Sequence, residues 1–299
     1  MSGVQQLILY LGLGKGNAEE TFKNLREAFG AYSNLQDLIL CYSNNFPDSL
    51  QNILFYASEG RMFYNLISVT FTLLDLVPNG SQRFCHNLDV AKLQHLELEE
   101  CDFLVPFLDS LSKSYSEIPG ALELLSIQLP INISQPVETI RSIETLLKVC
   151  PKLLELALEL AKCNLVSKDC LLSHADTLCS LVVGTFPSEQ PVYFSRYDLG
   201  VILKACTKLK WLAINLPPVD LGLITELGQN FRLDGSEKGL AAFEGILVSH
   251  PRSTGSWSLI LTSRYDRLNF PAILHCTPSE CSTCLTSYSP MIRMIIEIP

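Results

Sequence analysis

The sequence predicts an α/β chain folded as a curved stack of strand-plus-helix units, with parallel strands on the concave face and helices on the convex face. Three observations carry that expectation. About one residue in six of the 299 is leucine, well above ordinary usage. One short pattern, apolar-x-x-apolar-x-apolar, recurs eight times at intervals of 25–31 residues, several of them shorter than the roughly 30 or more that an ordinary strand-helix-strand crossover uses. Two of the segments between copies end alike, Val149-Cys150-Pro151-Lys152-Leu153 and Ala205-Cys206-Thr207-Lys208-Leu209, so one kind of turn returns the chain from helix to strand.

The first copy, Val4/Leu7/Leu9, is the weakest, and Leu35/Leu38/Leu40 and Leu66/Val69/Phe71 follow it. The fourth is the clearest, running Leu93-Gln94-His95-Leu96-Glu97-Leu98-Glu99-Glu100-Cys101. Then come Leu122/Leu125/Ile127, Leu153/Leu156/Leu158, Leu178/Leu181/Val183 and Leu209/Leu212/Ile214. Each reads as a short strand buried on one face, because side chains alternate across a strand. Helical patterns lie between the copies. Residues 138–149 put Ile140, Ile143, Leu146 and Leu147 on one face, and residues 198–205 do the same with Leu199, Ile202 and Leu203. Ser167, ahead of Lys168 and Asp169, has the character of a helix N-cap. Beyond the eighth strand the register weakens. Residues 222–228 and the helical 238–248 form one more unit, and residues 258–262 and 268–274 supply late strands. The expected organisation is therefore a repeat array of eight or nine units over residues 1–250, then an irregular segment over 251–299 with one or two degenerate strands.

Composition narrows the function. Apolar residues make up 47% and charged residues 18%, ample for a packed core and unlike a disordered chain. A formal charge of −9 and a pI near 5.1 argue against a nucleic-acid partner, since phosphate binding draws on clustered Lys and Arg. No run of about 18 apolar residues free of charge marks a membrane span. The eleven cysteines are scattered among apolar positions, which points to reduced, mostly buried thiols and a cytoplasmic or nuclear setting.

Cys101 falls where leucine-rich repeats place Asn or Cys. With the Cys-x-Lys-Leu entries at Cys150 and Cys206, the stretch from Val4 to Pro218 resembles the leucine-rich-repeat region of F-box proteins. The resemblance implies a leucine-rich-repeat solenoid that acts as a protein-protein interaction module, either a substrate receptor of a cullin ubiquitin ligase or a scaffold. It covers the repeats alone. The helical F-box, with its Leu-Pro start and later Trp, is not seen ahead of the Val4 strand.

Candidate chemistry is sparse. Gly12-Leu13-Gly14-Lys15-Gly16 follows a strand and precedes a helix, the setting of phosphate-cradling loops, but it lacks the spacing of a P-loop or a dinucleotide loop. A small α/β nucleotide-binding protein or enzyme using this loop is the alternative reading; a flexible turn is the plain one. His275, Cys276, Cys281 and Cys284 gather metal-type ligands, yet no second separated pair completes a zinc pattern. His95, His174 and His250 have nucleophiles nearby in sequence without any motif of catalysis, and the plain reading of each is a surface or cap residue. No enzyme activity, cofactor or metal is expected.

The concave face is where the sequence speaks about function. Strand positions alternating with the buried ones include Asp37, Ile39 and Cys41; His95, Glu97 and Glu99; Leu124, Ser126 and Gln128; Glu155, Ala157 and Glu159; Ser180, Val182 and Gly184; and Trp211, Ala213 and Asn215. Five carboxylates and no Lys or Arg stand in that set. The expected partner-binding residues are Asp37, His95, Glu97, Glu99, Glu155, Glu159, Trp211 and Asn215. Their partner is another protein, one presenting a basic segment, with Trp211 as an apolar anchor.

Overall fold

The structure, a computed structural model, describes residues 6–11, 27, 34–42, 63–150, 153–160, 164–185, 192, 194–215, 259–260, 273–274 and 293–297. Eight strands run in chain order: β1 (Gln6–Leu11), β2 (Asp37–Tyr42), β3 (Ser68–Thr72), β4 (His95–Glu99), β5 (Leu124–Gln128), β6 (Glu155–Glu159), β7 (Ser180–Gly184) and β8 (Trp211–Asn215). Each is parallel to the next and pairs with its neighbours in sequence, giving one open sheet of order β1 to β8. The steps between paired residues run from 25 (Glu155 to Ser180) to 31 (Leu124 to Glu155). All eight expected copies supply a strand. A ninth, β11 (Arg293–Glu297), joins the far edge antiparallel to β8. The short β9 (Leu259–Ile260) and β10 (Ile273–Leu274), within the expected late strands, pair with each other in a separate antiparallel ladder.

The apolar pattern explains the sheet. Leu38, Val69, Leu96, Leu125, Leu156, Leu181 and Leu212 stand opposite one another in register and are almost fully buried. A second buried row holds Leu40, Phe71, Leu98, Ile127, Leu158, Val183 and Ile214. The first leucine of the second to eighth copies, as in Leu66, Leu93, Leu122 and Leu153, is buried just ahead of its strand. Burying each such side chain contributes about 1.5–3 kcal/mol against exposure, so the rows form a continuous apolar spine. The hydrogen bonds repeat as faithfully. At each entry from β3 to β8 one carbonyl of the preceding unit (Gln36, Ile67, Gln94, Glu123, Leu154, Cys179) accepts two successive N–H groups of the next, at 2.7–3.1 Å.

Five helices are described: α1 (Pro78–Asn87), α2 (Leu104–Glu117), α3 (Pro136–Val149), α4 (Lys168–Leu172) and α5 (Arg196–Ala205). They pack each against the next and cover one face of the sheet, where the buried rows point. Proline at the first turn of α1 and α3 suits a position whose N–H is unsatisfied anyway. The expected Ser167 cap is present, accepting from the Asp169 N–H at 3.3 Å, and Ser195 caps α5 by accepting from the Asp198 N–H at 3.1 Å. Phe71, Phe84 and Phe107 wedge sheet and helices together, with ring centroids 5.4–6.5 Å apart. Cys101 is buried and donates to the Phe71 carbonyl at 3.3 Å, tying the turn after β4 to the preceding strand. Burial pushes its thiol up to about 12, so it stays protonated and keeps that donor.

His174 departs from the surface or cap role expected of it. It is buried, its Nε2 lies 2.9 Å from the Leu147 carbonyl, and its Nδ1 accepts from the Leu153 N–H at 3.3 Å. Those partners fix the neutral tautomer with the proton on Nε2. Among the described residues no helix is long and apolar enough to cross a membrane.

Candidate functional site

Among the described residues no helix covers the face of the sheet away from α1 to α5, and the strand register sorts that face into three rows. The first holds Asp37, Ser68, His95, Leu124, Glu155, Ser180 and Trp211. The middle row is Ile39, Thr70, Glu97, Ser126, Ala157, Val182 and Ala213, and the last runs Cys41, Thr72, Glu99, Gln128, Glu159 and Gly184. Where side chains are described, residues of these rows are exposed or half-buried apart from Gly184, in contrast to the spine behind them. Antiparallel pairing sets Arg293 of β11 opposite Asn215, Ile295 opposite Ala213 and Glu297 opposite Trp211.

Seven of the eight expected binding residues are thereby placed on one surface, and Asn215 joins them by backbone register. Glu97, Glu99 and Glu155 are exposed, Asp37, His95 and Glu159 are half-buried, and Trp211 is 41% exposed. Glu97 and Glu155 make no side-chain hydrogen bond or ion pair among the described residues. Glu99 accepts from the Thr72 hydroxyl at 3.2 Å, which steadies it without neutralising it. The acidic strands β4 and β6 have β5 between them, so their carboxylates sit two strand spacings apart, roughly 10 Å.

Two features were missing from the sequence-based set. β3 contributes Ser68, Thr70 and Thr72 to the same rows, and simple alternation around Val69 and Phe71 would have found them. Phe103, just past β4, carries an exposed ring that leucine spacing does not signal.

The Gly12 to Gly16 loop, residues 222–228 and 238–248, His250, and the His275, Cys276, Cys281 and Cys284 group lie outside the described residues. Among the described residues no cluster of three or more His, Cys, Asp or Glu could hold a metal ion. On the helix side, Lys168 pairs with Asp198 at 2.5 Å and lies 5.0 Å from the centre of the Tyr197 ring. Lys168 is raised and Asp198 lowered in pKa mainly by their mutual hydrogen bond, a half-buried clasp between α4 and α5. No protein-family model, curated protein or solved structure matches the chain.

Proposed function

We propose that this chain is a leucine-rich-repeat solenoid whose open, concave sheet face binds another protein, as a substrate receptor of a cullin ubiquitin ligase or as a scaffold. The observation that carries the reading is the open face itself. Eight parallel strands in strict chain order bury one side against helices and leave the other, with its five carboxylates and Trp211, facing solvent. Stacking of units that each pair only with their neighbours supports the repeat architecture. The buried Cys101, bonded to the preceding strand, supports the resemblance to leucine-rich repeats.

The partner presents a basic segment, because Glu97 with Glu99 and Glu155 with Glu159, each pair two positions apart on one strand at roughly 7 Å, lie within a screening length of about 8 Å and reinforce one another. The chain acts by holding that segment and contributes no chemistry of its own. Recovery of bound proteins from cells, with mass spectrometry, tests this. A partner with a Lys- or Arg-rich segment should accompany the wild-type chain and be lost from the Glu97→Lys, Glu99→Lys, Glu155→Lys, Glu159→Lys variant. Ligase adaptors among the recovered proteins would favour the receptor role over the scaffold. Identical recovery with both forms would move the binding site off this face.

A further inference from the structure

The rows of the open face differ in relief as well as in charge. In the middle row Glu97 on β4 is followed by Ser126 on β5, Ala157 on β6 and Val182 on β7, each opposite the next in register, and Ala213 on β8 continues the line. Past Glu97 these are small side chains, and Ser126, Ala157 and Val182 are half-buried. Larger residues flank the line: Leu124, Glu155 and Trp211 in the first row, Gln128 and Glu159 in the last. The two flanking rows are four residues apart along each strand, about 13 Å. Together they bound a shallow trough that crosses the strands and is stopped at β4 by the exposed Glu97.

Charge divides the trough lengthwise. From β4 to β6 the rows hold Glu97, Glu99, Glu155 and Glu159, whereas on β7 and β8 they hold Ser180, Val182, Gly184, Trp211, Ala213 and Asn215, none of them charged. Neither half holds Lys or Arg. The floor also restricts what backbone can lie on it. The N–H and C=O groups of the strands bond to one another within the sheet, and among Ser126, Ala157, Val182 and Ala213 only the serine has a side-chain hydrogen-bonding group. A chain buried there must satisfy its own backbone groups, since an unpaired one is costly. An α-helix does so, and its diameter of about 10–12 Å with side chains suits the interval between the flanking rows.

We propose that the trough takes one amphipathic helix of another protein, laid across the strands, with large apolar side chains over Val182 and Trp211 at one end and Lys or Arg over the carboxylates of β4 and β6 toward the other. This rests on the protein-recognition reading above and specifies its ligand. Complementary charge sets the register of the helix, and Trp211 with Val182 supplies the desolvated anchor. The spacing follows from sheet geometry. Glu97 and Val182 are three strand steps apart, roughly 14 Å at about 4.8 Å per step. A helix rising about 1.5 Å per residue covers that in about ten residues. On one helix face the basic and apolar residues therefore stand about seven to eleven positions apart.

Two phage libraries selected against the full chain test the trough. One randomises the exposed face of a single helix in a small three-helix bundle, and the other displays random linear peptides. The helix library should yield binders with large apolar residues at one end of the face and Lys or Arg toward the other, at the spacing above. Ala157→Tyr raises the floor, and should melt like wild type yet bind an enriched helix at least about tenfold more weakly. Ser126→Tyr, one strand away, should do the same, whereas Ser68→Tyr, on β3 beyond Glu97, should bind as wild type. No enriched helix, enriched helices without that pattern, wild-type affinity in the Ala157 and Ser126 variants, or an equal loss in Ser68→Tyr would each overturn the proposal. A lowered melt in both floor variants would show the floor covered in the folded chain and overturn it too. Glu97→Lys with Glu99→Lys separates the two readings. If that pair and Trp211→Ala abolish binding of the selected helices or linear peptides while the floor variants do not, the open face still recognises protein but the trough is wrong; if none of these matters, both fall.

Discussion

His174 joins two turns that no side chain nearby in sequence could reach. It is buried with both nitrogens committed, to the Leu147 carbonyl at the end of α3 and to the Leu153 N–H ahead of β6, so a second proton would have to displace the Leu153 bond. Burial accordingly lowers its pKa below the ordinary 6.5, against a smaller raising effect from the Leu147 bond. Between the folded and unfolded values the unfolded chain binds more protons, so stability rises with pH and is lost as pH falls below about 6.5. His174→Gln does not titrate in this range. It should cost about 1–3 kcal/mol at pH 7 through imperfectly replaced hydrogen bonds and should flatten the fall in melting temperature between pH 7 and pH 5. Equal slopes in the two proteins would place the pH dependence elsewhere. Gly120 is constrained differently. A Cβ there would lie 1.8 Å from Cε1 of the buried Tyr115 ring, so Gly120→Ala should destabilise by about 1–3 kcal/mol through overpacking. Most of that loss should disappear on a Tyr115→Leu background, and simple additivity in a double-mutant cycle would refute the clash. Neither constraint was legible in the sequence, because His174 meets backbone groups and Gly120 meets a ring edge, and neither leaves a periodic trace.

At the scale of elements the legible part was the strands. Alternation about a leading apolar residue fixes which side chains face the helices; all eight copies supply a strand of the sheet, and from the second copy to the eighth the inward residues are buried. Of the two serine-capped helix starts, the one at Ser167 was legible, whereas the one at Ser195 was not, and α5 begins at Arg196, ahead of the expected 198. The structured turn after β4 was not legible: Glu100 and Phe103 both take positive φ without being glycine. β11 was also missed, since its partner β8 is far away in sequence. The inward register makes a sharp prediction. Leu156 lies between Leu125 and Leu181 and is 1% exposed, so Leu156→Asp should place an unpaired charge in the spine and unfold the middle of the array. Ser180→Asp, on the open face one residue before Leu181, should change stability by no more than about 0.5 kcal/mol. Circular dichroism showing equal, cooperative melts for the two variants would refute the assignment of faces.

For the whole molecule, the uneven placement of charge matters more than its total. If this face binds a basic partner as proposed, the field of the β4 and β6 carboxylates, which share it, acts before contact, whereas Trp211 acts only once it is desolvated. With a partner in hand, reversing Glu97, Glu99, Glu155 and Glu159 to Lys should slow association and flatten its dependence on salt. Trp211→Ala should chiefly speed dissociation. Wild-type kinetics in both variants would exclude this face.

The order of the sheet also bears on how the chain reaches its fold. Pairing from β1 to β8 joins residues 25–31 apart at every step, so each new strand closes a loop of nearly constant length and the search does not lengthen as units are added. Arg293 and Asn215 are 78 residues apart, and that contact has no template until β8 is in place. Assembly can therefore start at any unit and spread to its neighbours, while the antiparallel strand arrives last. Until it does, the backbone groups of Trp211–Asn215 form an unguarded sheet edge, the point at which a newly made chain is open to pairing with another copy of itself.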